Sequence, residues 1–339
     1  MIAARLTAQL LSGPPARDPP AVAERLLAVQ AQELRGMRLA IRARTSGLTV
    51  SDVDRALGVD RSLLVTWLNR GTLHLVRSSD YPWLQALTTP PLHTGNARRL
   101  REEGVSTAAA ERGVGAIERS LAEEGPLARA QLRERIAAAG VPAEGQALAH
   151  ILMLASLRGL IVRGPMIEGR HAFALVHDWL GAQAKVDRDA ALAELARRYL
   201  AGHGPASDRD LARWAGLPLR DVRGGLAAIG SELEEREDGL VDLVRRVPST
   251  PIPQPRLLGP FEPVLLGWTS RRPLVADHER LVTVNGVFRQ FALVRGRAAA
   301  TWRMKHGELE REPFAPLGDE DGRALAADAA DVLRFLEGD

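Results

Sequence analysis

The stretch LTVSDVDRALGVDRSLLVTWLNRGTLHLV, residues 48–76, carries the information that decides the fold. Ser51 followed by Asp54 is a capping-type start for a short helix, and Gly58 breaks that helix. The spacing from Asp60 to Arg70 predicts a second helix ending at Gly71, and Thr72 to Val76 alternates as a strand does. Helix, turn, helix, strand is the order of a winged helix.

Working outward, the same order recurs twice. In residues 124–176, EGPLARAQLRERIAAAG predicts one helix over 127–138, and apolar residues at helical spacing predict another over 145–158. Gly159 then opens a hairpin of LIVRG and HAFALV around residues 165–169. In residues 204–244, Ser207 caps a helix with Asp210 three positions on, Gly216 marks the turn, and residues 240–244 form the terminal strand. Three copies support one another. Winged helices place a helix in a major groove or serve as protein-docking modules. Arg61, Arg70, Arg129, Arg158, Arg220 and Arg223, on or beside these helices, favour DNA.

Between the first two copies, residues 104–124 read as a helix or pair of helices. Gly113 and Gly115 are not a nucleotide loop, because the third glycine and the preceding strand are missing. After residue 247 the chain turns to the proline-rich PSTPIPQPRLLGP and then to strand-like runs, PVLLGW among them. The pairs Asn285-Gly286 and Gly296-Arg297 lie between alternating stretches, predicting at least two hairpins. Arg295 and Arg297 fall at the tip of the second, a basic turn that either lies along a DNA groove or is simply solvated.

Composition narrows the chemistry. The 339 residues, 45% hydrophobic and 26% charged, are enough for two or three domains. No apolar run is long enough to span a membrane and no secretory core is visible, so a cytoplasmic, nucleoid-associated protein without membrane contact is expected. With no cysteine, disulfides, thiol catalysis and cysteine-ligated zinc are excluded. Of 45 basic residues only Lys185 and Lys305 are lysines. Arginine suits phosphate and guanine edges, although a GC-rich genome gives the same bias. The eight histidines are scattered; His171 and His177 form the one close pair and are read as structural, so no metal site is expected. A Gly-x-Ser-x-Gly nucleophile turn is missing, and the carboxylates cluster on charged faces such as ELEERED.

What remains is LLAVQAQELRG, residues 26–36, where Gln30 and Gln32 stand two apart. On one helix they would point to nearly opposite sides. If the helix entered at Pro19-Pro20 ends near Gln30, a bend can turn both amides toward one concave, arginine-rimmed surface. Taken alone, the pair reads first as a helix end, with one amide solvated and one bonded to backbone.

The patterns VQAQ (29–32), IRAR (41–44), WLNRGTLHLV (67–76) and YPWL (81–84), with VLLGW (264–268), NGVFR (285–289) and TWR (301–303), closely resemble the AlkZ-type DNA glycosylases, nearly end to end. That resemblance implies an α+β, mostly α, fold of three tandem winged-helix units in a C-shaped arrangement with a small β-rich C-terminal region. The units fall at residues 1–100, 101–186 and 187–250, with the β-rich region at 251–339. It also implies that a glutamine-hydrophobic-glutamine motif is catalytic, here Gln30-Ala31-Gln32, in the first unit. Some members carry aspartate at the second polar position. Gln32 places this chain with the branch that includes resistance enzymes able to unhook crosslinks made by bifunctional alkylating natural products. For Arg44, Arg70 and His74, phosphate contact and scaffold pairing both stand; Trp67 and Leu73 are expected in the core.

Amides make chemical sense in such an enzyme. Glycosidic hydrolysis normally employs two carboxylates, one to protonate the leaving group. An N7-alkylated purine is already cationic and departs without a general acid. Neutral carbonyl oxygens then suffice to accept a hydrogen bond from the attacking water and to stabilise the developing sugar cation. The expectation is a monofunctional glycosylase acting, without a cofactor and as a monomer, on double-stranded DNA carrying alkylated purines. No lysine lies near the motif to form a Schiff base. The alternative is a non-catalytic winged-helix transcription regulator with a preferred operator sequence.

Overall fold

A computed structural model describes residues 1–244, 246, 248–275, 280–283 and 286–337. The chain opens with α1 (Ile2–Ala8), α2 (Pro19–Leu26), the two-residue strand β1 (Val29–Gln30), α3 (Leu34–Arg42) and α4 (Val50–Gly58). A hairpin of β2 (Leu63–Leu68) and β3 (Thr72–Arg77) follows, then α5 (Tyr81–Thr88), α6 (Leu92–Glu102) and α7 (Thr107–Glu124). Next come β4 (Leu127–Ala128), α8 (Arg129–Ala138), α9 (Gly145–Leu157), β5 (Ile161–Ile167), β6 (Arg170–Leu175) and α10 (Val176–Leu180). The remainder is α11 (Arg188–His203), α12 (Asp208–Ala215), α13 (Leu219–Ala228), β7 (Leu233–Glu235), β8 (Val241–Leu243), β9 (Arg256–Leu258), α14 (Pro263–Leu266), β10 (Phe291–Val294), β11 (Arg297–Lys305), β12 (Glu308–Pro313) and α15 (Asp319–Leu336). Helix predominates, as expected. Two compact units emerge, one of Asp54–Ala191 and one of Met1–Val53 with Leu192–Asp339. Among the described residues, no helix is long and apolar enough to cross a membrane.

In the Asp54–Ala191 unit the expected helix over residues 60–70 is instead the strand β2. Its side chains are buried at all six positions, because β2 lies between β3 (Leu63↔Arg77 to Leu68↔Thr72) and β5 (Val65↔Arg163). A continuous apolar run fits a buried strand or a buried helix equally, and only the partners on either side decide. The helix pair preceding this wing in chain order is therefore α3 and α4, so the first winged helix begins upstream of the quoted stretch. The second copy keeps its expected order: α8, α9 and the hairpin β5–β6, which turns at Glu168 and Gly169 with φ of 50° and 71°. Within this unit the strand order is β3-β2-β5-β6-β4. Trp67 and Leu73 are buried as expected. The Arg163 guanidinium lies 4.5 Å from the Trp67 ring and 4.8 Å from that of Phe173, and burial lowers its pKa to about 10.

The third copy lies in the other unit. Ser207 Oγ accepts from the Asp210 amide at 3.1 Å and Asp210 accepts from the Ser207 amide at 3.0 Å, the reciprocal cap that the sequence predicts. Gly216 then closes α12 in the left-handed conformation, and β7 pairs with β8. Toward the C-terminus an antiparallel sheet runs in the order β12-β11-β10-β9. The strand-like PVLLGW is largely the short helix α14 rather than a strand, started by Pro263 with the Glu262 side chain as its cap. The turn between β10 and β11 is centred on Arg295 and Gly296, with φ of 50° and 77°, one residue earlier than expected. The other hairpin shows the bridge Val282↔Phe288, with the Thr283 amide donating to Val287 O (3.0 Å) and the Arg289 amide to Leu281 O (2.8 Å), and Asn285 lies outside the described residues. The 18-residue helix α15 was not expected in a β-rich region. Its sequence signals are an acidic first turn, Asp319 to Asp321, and a buried stripe of Leu325, Val332 and Phe335.

Buried arginines tie this unit together. Arg42 of α3 bonds Asp328 at 2.6 Å and Asp331 at 2.8 Å on α15, and Asp328 also accepts from the Leu257 amide of β9 at 2.6 Å. Arg44 is wholly buried. It donates to Gln9 O (2.7 Å), Gln9 Oε1 (3.3 Å), Ala40 O (2.9 Å) and Glu262 Oε1 (2.5 Å). Arg44→Met would remove the cationic partner of the buried Glu262 side chain, at a cost of ~3–5 kcal/mol. Chemical denaturation should show that loss, and a variant as stable as wild type would refute the role.

A second prediction separates adjacent glycines of α13. A Cβ at Gly225 would lie 2.4 Å from Leu192 O, whereas one at Gly224 meets nothing within 4 Å. Gly224→Ala should raise the thermal midpoint, since alanine is favoured over glycine in a helix by ~1 kcal/mol. Gly225→Ala should lower it, because overpacking costs ~1–3 kcal/mol. Scanning calorimetry of the two variants reads the opposite signs.

Candidate active site and adjoining cleft

The glutamine motif does not lie on a helix. Asp18 caps α2 by accepting from the Ala21 amide at 2.7 Å, and Pro19 occupies the first turn. The helix stops at Leu26, where Leu27 adopts a positive φ of 65°. The chain then extends through β1, bends at Gln32 and Glu33, and enters α3 from an extended Glu33. The pair is therefore not subject to helical spacing, and the extended strand ends at Gln30, before the bend at Gln32.

The two amides sit in different surroundings. Gln30 is 8% exposed, and its Oε1 is buried without a hydrogen-bond partner. Gln32 is exposed. An unsatisfied buried carbonyl costs ~1–3 kcal/mol, and Gln30 Oε1 has no donor within the fold.

One residue further on, Glu33 forms part of the wall of a cleft of about 820 Å³. Its floor includes Phe261, Phe288 and Trp302, and Arg289, Arg303 and Arg311 stand around it. The Phe261 and Phe288 ring centroids are 5.7 Å apart, the Arg271 guanidinium covers Phe288 at 5.0 Å, and Trp302 Nε1 donates to Leu258 O at 2.9 Å. Helix α3 is pressed onto this wall at Gly36, where a Cβ would lie 2.6 Å from Pro260 O. Arg35 Nη2 reaches Met304 Sδ on β11. The motif and Glu33 of the cleft wall therefore immediately precede α3, and α3 contacts the cleft wall at Pro260.

The remaining candidates scatter. Arg44 belongs to the core network, so phosphate contact is corrected to a scaffold role: its guanidinium is enclosed and bonded to internal partners. Arg70 lies half-buried in the turn of the β2–β3 hairpin, and His74 is buried on β3. Burial, and next the nearby positive charge of Arg70, lower the His74 pKa to about 3. The ring is therefore neutral near pH 7, and its Nδ1 lies 2.9 Å from Thr72 O, which makes that nitrogen the donor. Arg295 and Arg297 are exposed at the β10–β11 turn, with Arg295 3.3 Å from Asp321.

Sequence reading missed the cleft, although it had singled out its parts. Phe288 and Arg289 belong to NGVFR, and Thr301, Trp302 and Arg303 are TWR. Nothing in their spacing links them; pairing of β10 with β11 brings the two segments together, and the close approach of Gly36 to Pro260 brings Glu33 beside them.

With this geometry, the likeness to known proteins is extensive. The solved DNA glycosylase AlkZ of Streptomyces sahachiroi shares the fold, with a TM-score of 0.78 over 98% of this chain and 95% of that one at 24% identity. The interstrand DNA cross-link repair glycosylase of the same organism is 27% identical over 343 residues, 92% of this chain and 89% of the relative. The sequence pattern of the AlkZ-like DNA glycosylases matches residues 23–335. Motif, fold and pattern agree, and the chain belongs to the AlkZ-like family of DNA glycosylases.

Proposed function

We propose that this glycosylase excises N7-alkylated purines from duplex DNA, acting as a monomer, and unhooks crosslinks joined through such positions, in repair or in self-resistance to an alkylating natural product. The observation that carries the reading is the buried, unpartnered Oε1 of Gln30 two residues before the exposed Gln32. A carbonyl oxygen accepts a hydrogen bond from water and places negative partial charge against an oxocarbenium-like sugar, but it cannot protonate a leaving group. Such a site serves a base that departs as a neutral species from a cationic nucleoside. Normal purines, which need protonation, are spared.

In the reaction, water attacks C1′, the C1′–N9 bond breaks, and its electron pair neutralises the positive charge of the alkylated purine. The proton released from water passes to solvent, leaving an abasic site. Gln30 and Gln32 orient that water and stabilise the sugar cation. Arg70, Arg295 and Arg297 contribute positive charge toward the phosphates, while neutral His74 serves the hairpin as a fixed hydrogen-bond donor. Crosslinks enter the reading through the Streptomyces sahachiroi relative, whose name records interstrand DNA cross-link repair.

Single-turnover excision from a duplex carrying one N7-methylguanine tests the reading. Wild type should release free base and leave an abasic site, and Gln30→Ala and Gln32→Ala should each slow release by ~10²–10³-fold, the usual effect of removing one preorganised polar group. Wild-type levels of release from both variants would sink the mechanism.

The same assay carries a pH prediction. Amides do not titrate and His74 stays neutral above about pH 3, so the rate should be flat from roughly pH 6 to 8.5. A tenfold change per pH unit within that window would instead identify a titrating acid or base.

A further inference from the structure

Arg42 and Arg44 meet carboxylates inside the fold, but Arg163 on β5 meets none among the described residues. We propose that Arg163 and Arg129, with the opening turn of α8, form a site that holds a backbone phosphate of the duplex. The assignment needs only an enzyme that acts on DNA, so it goes beyond the N7-alkylpurine reading and does not rest on it.

Strand register builds the clamp. Val65, Arg163, Phe173 and Leu127 stand opposite one another along β2, β5, β6 and β4, so their side chains share one face of the sheet. Trp67 lies two residues along β2 from Val65, on that same face. The guanidinium is thereby held against two aromatic rings, 4.5 Å from the centroid of Trp67 and 4.8 Å from that of Phe173. Rings attract a cation but leave its N–H groups without an acceptor in the ring plane. Arg163 Nε is buried with no hydrogen-bond partner, while part of the residue still reaches solvent. The fold therefore fixes the group in place and leaves its donors for something outside the chain.

The charge around it has one sign. The charged group acting on Arg163 is Arg129, a second cation, and burial followed by that repulsion lowers the Arg163 pKa to about 10, still protonated at pH 7. Arg129 is exposed at the first position of α8. Ala128 at the cap has no side chain that could accept from the first amides, and the first turn of α8 carries no acidic residue. Two cations and an uncapped helix N-terminus repel each other until an anion joins them. A phosphodiester fits, because its oxygens accept from a guanidinium and from backbone amides at once. The place in the fold agrees: α8 is the first helix of the second winged-helix copy, and in helix-turn-helix proteins the first helix crosses the DNA backbone.

Three variants test the site. Arg163→Met keeps an apolar side chain against both rings and removes the charge, and Arg129→Gln removes a charge at an exposed position. Arg135→Gln is the control for net charge, since Arg135 lies on the same helix but is paired with Glu124 at 2.8 Å. Fluorescence anisotropy with a labelled undamaged duplex, between about 50 and 200 mM salt, gives Kd and its salt slope, and thermal melting follows the free proteins. Arg163→Met and Arg129→Gln should each weaken binding ~10-fold and reduce the salt slope by ~1, while Arg135→Gln changes Kd less than ~2-fold. Arg163→Met should melt no lower than wild type, because it relieves an unpaired cation. Wild-type affinity and slope in both test variants would overturn the proposal, even if inorganic phosphate stabilises the wild-type protein, since the anion would then be a free one. Equal weakening by Arg135→Gln would reduce the effect to net charge and overturn it as well. So would loss of binding in Arg163→Met alone together with a lower melting midpoint, which would make Arg163 a structural stack. No base is excised in these measurements, so their result stands whichever lesion the enzyme removes.

Discussion

A guanidinium with no access to water anchors the unit that carries the motif. Arg44, just beyond the end of α3, is bonded to Gln9 behind α1 and to Glu262 at the start of α14, and neither charged side chain is exposed. Burying two ions is expensive unless their remaining donors and acceptors are met, and Arg44 also finds Ala40 O and Gln9 Oε1. Two residues earlier, Arg42 fastens the same helix to α15. Helix α3 thus has its far end fixed by charge and its near end pressed against Pro260 through Gly36. Glutamines held on such a mount do not need a rigid loop of their own.

That arrangement changes the meaning of the arginine content. Arg5, Arg38, Arg42 and Arg44 are buried, and Arg5, Arg42 and Arg44 bond carboxylates or backbone carbonyls inside the fold. Arginine here is first a structural cation, able to satisfy several acceptors from one planar group. The charge that faces DNA must come from the exposed remainder.

Much of the architecture was readable because it rests on local rules. The Ser207–Asp210 cap, the glycine at the end of α12 and the helix–helix–hairpin order of residues 127–175 follow from side chains that act on backbone a few positions away. The reading failed at β2, where LLVTWL is apolar on both faces and only the neighbouring strands separate a strand from a helix. It failed again at PVLLGW, where proline and a capping carboxylate turn an apolar run into one turn of helix. The four-residue and eighteen-residue helices of the C-terminal region show how weak periodicity becomes when short elements pack on a sheet.

For the candidate site, the sequence by itself singled out the two glutamines and the end of the helix before them and, through its distant motifs, determined the family. Those depend on residue identity and on nearest neighbours along the chain. Only tertiary structure decided that Gln30 keeps its carbonyl oxygen buried and unpartnered, that Arg44 is internal, and that Phe261, Phe288, Trp302 and Glu33 share one cleft. The physical reason is that burial and convergence are properties of contacts between segments more than two hundred residues apart, and linear spacing carries no measure of that distance.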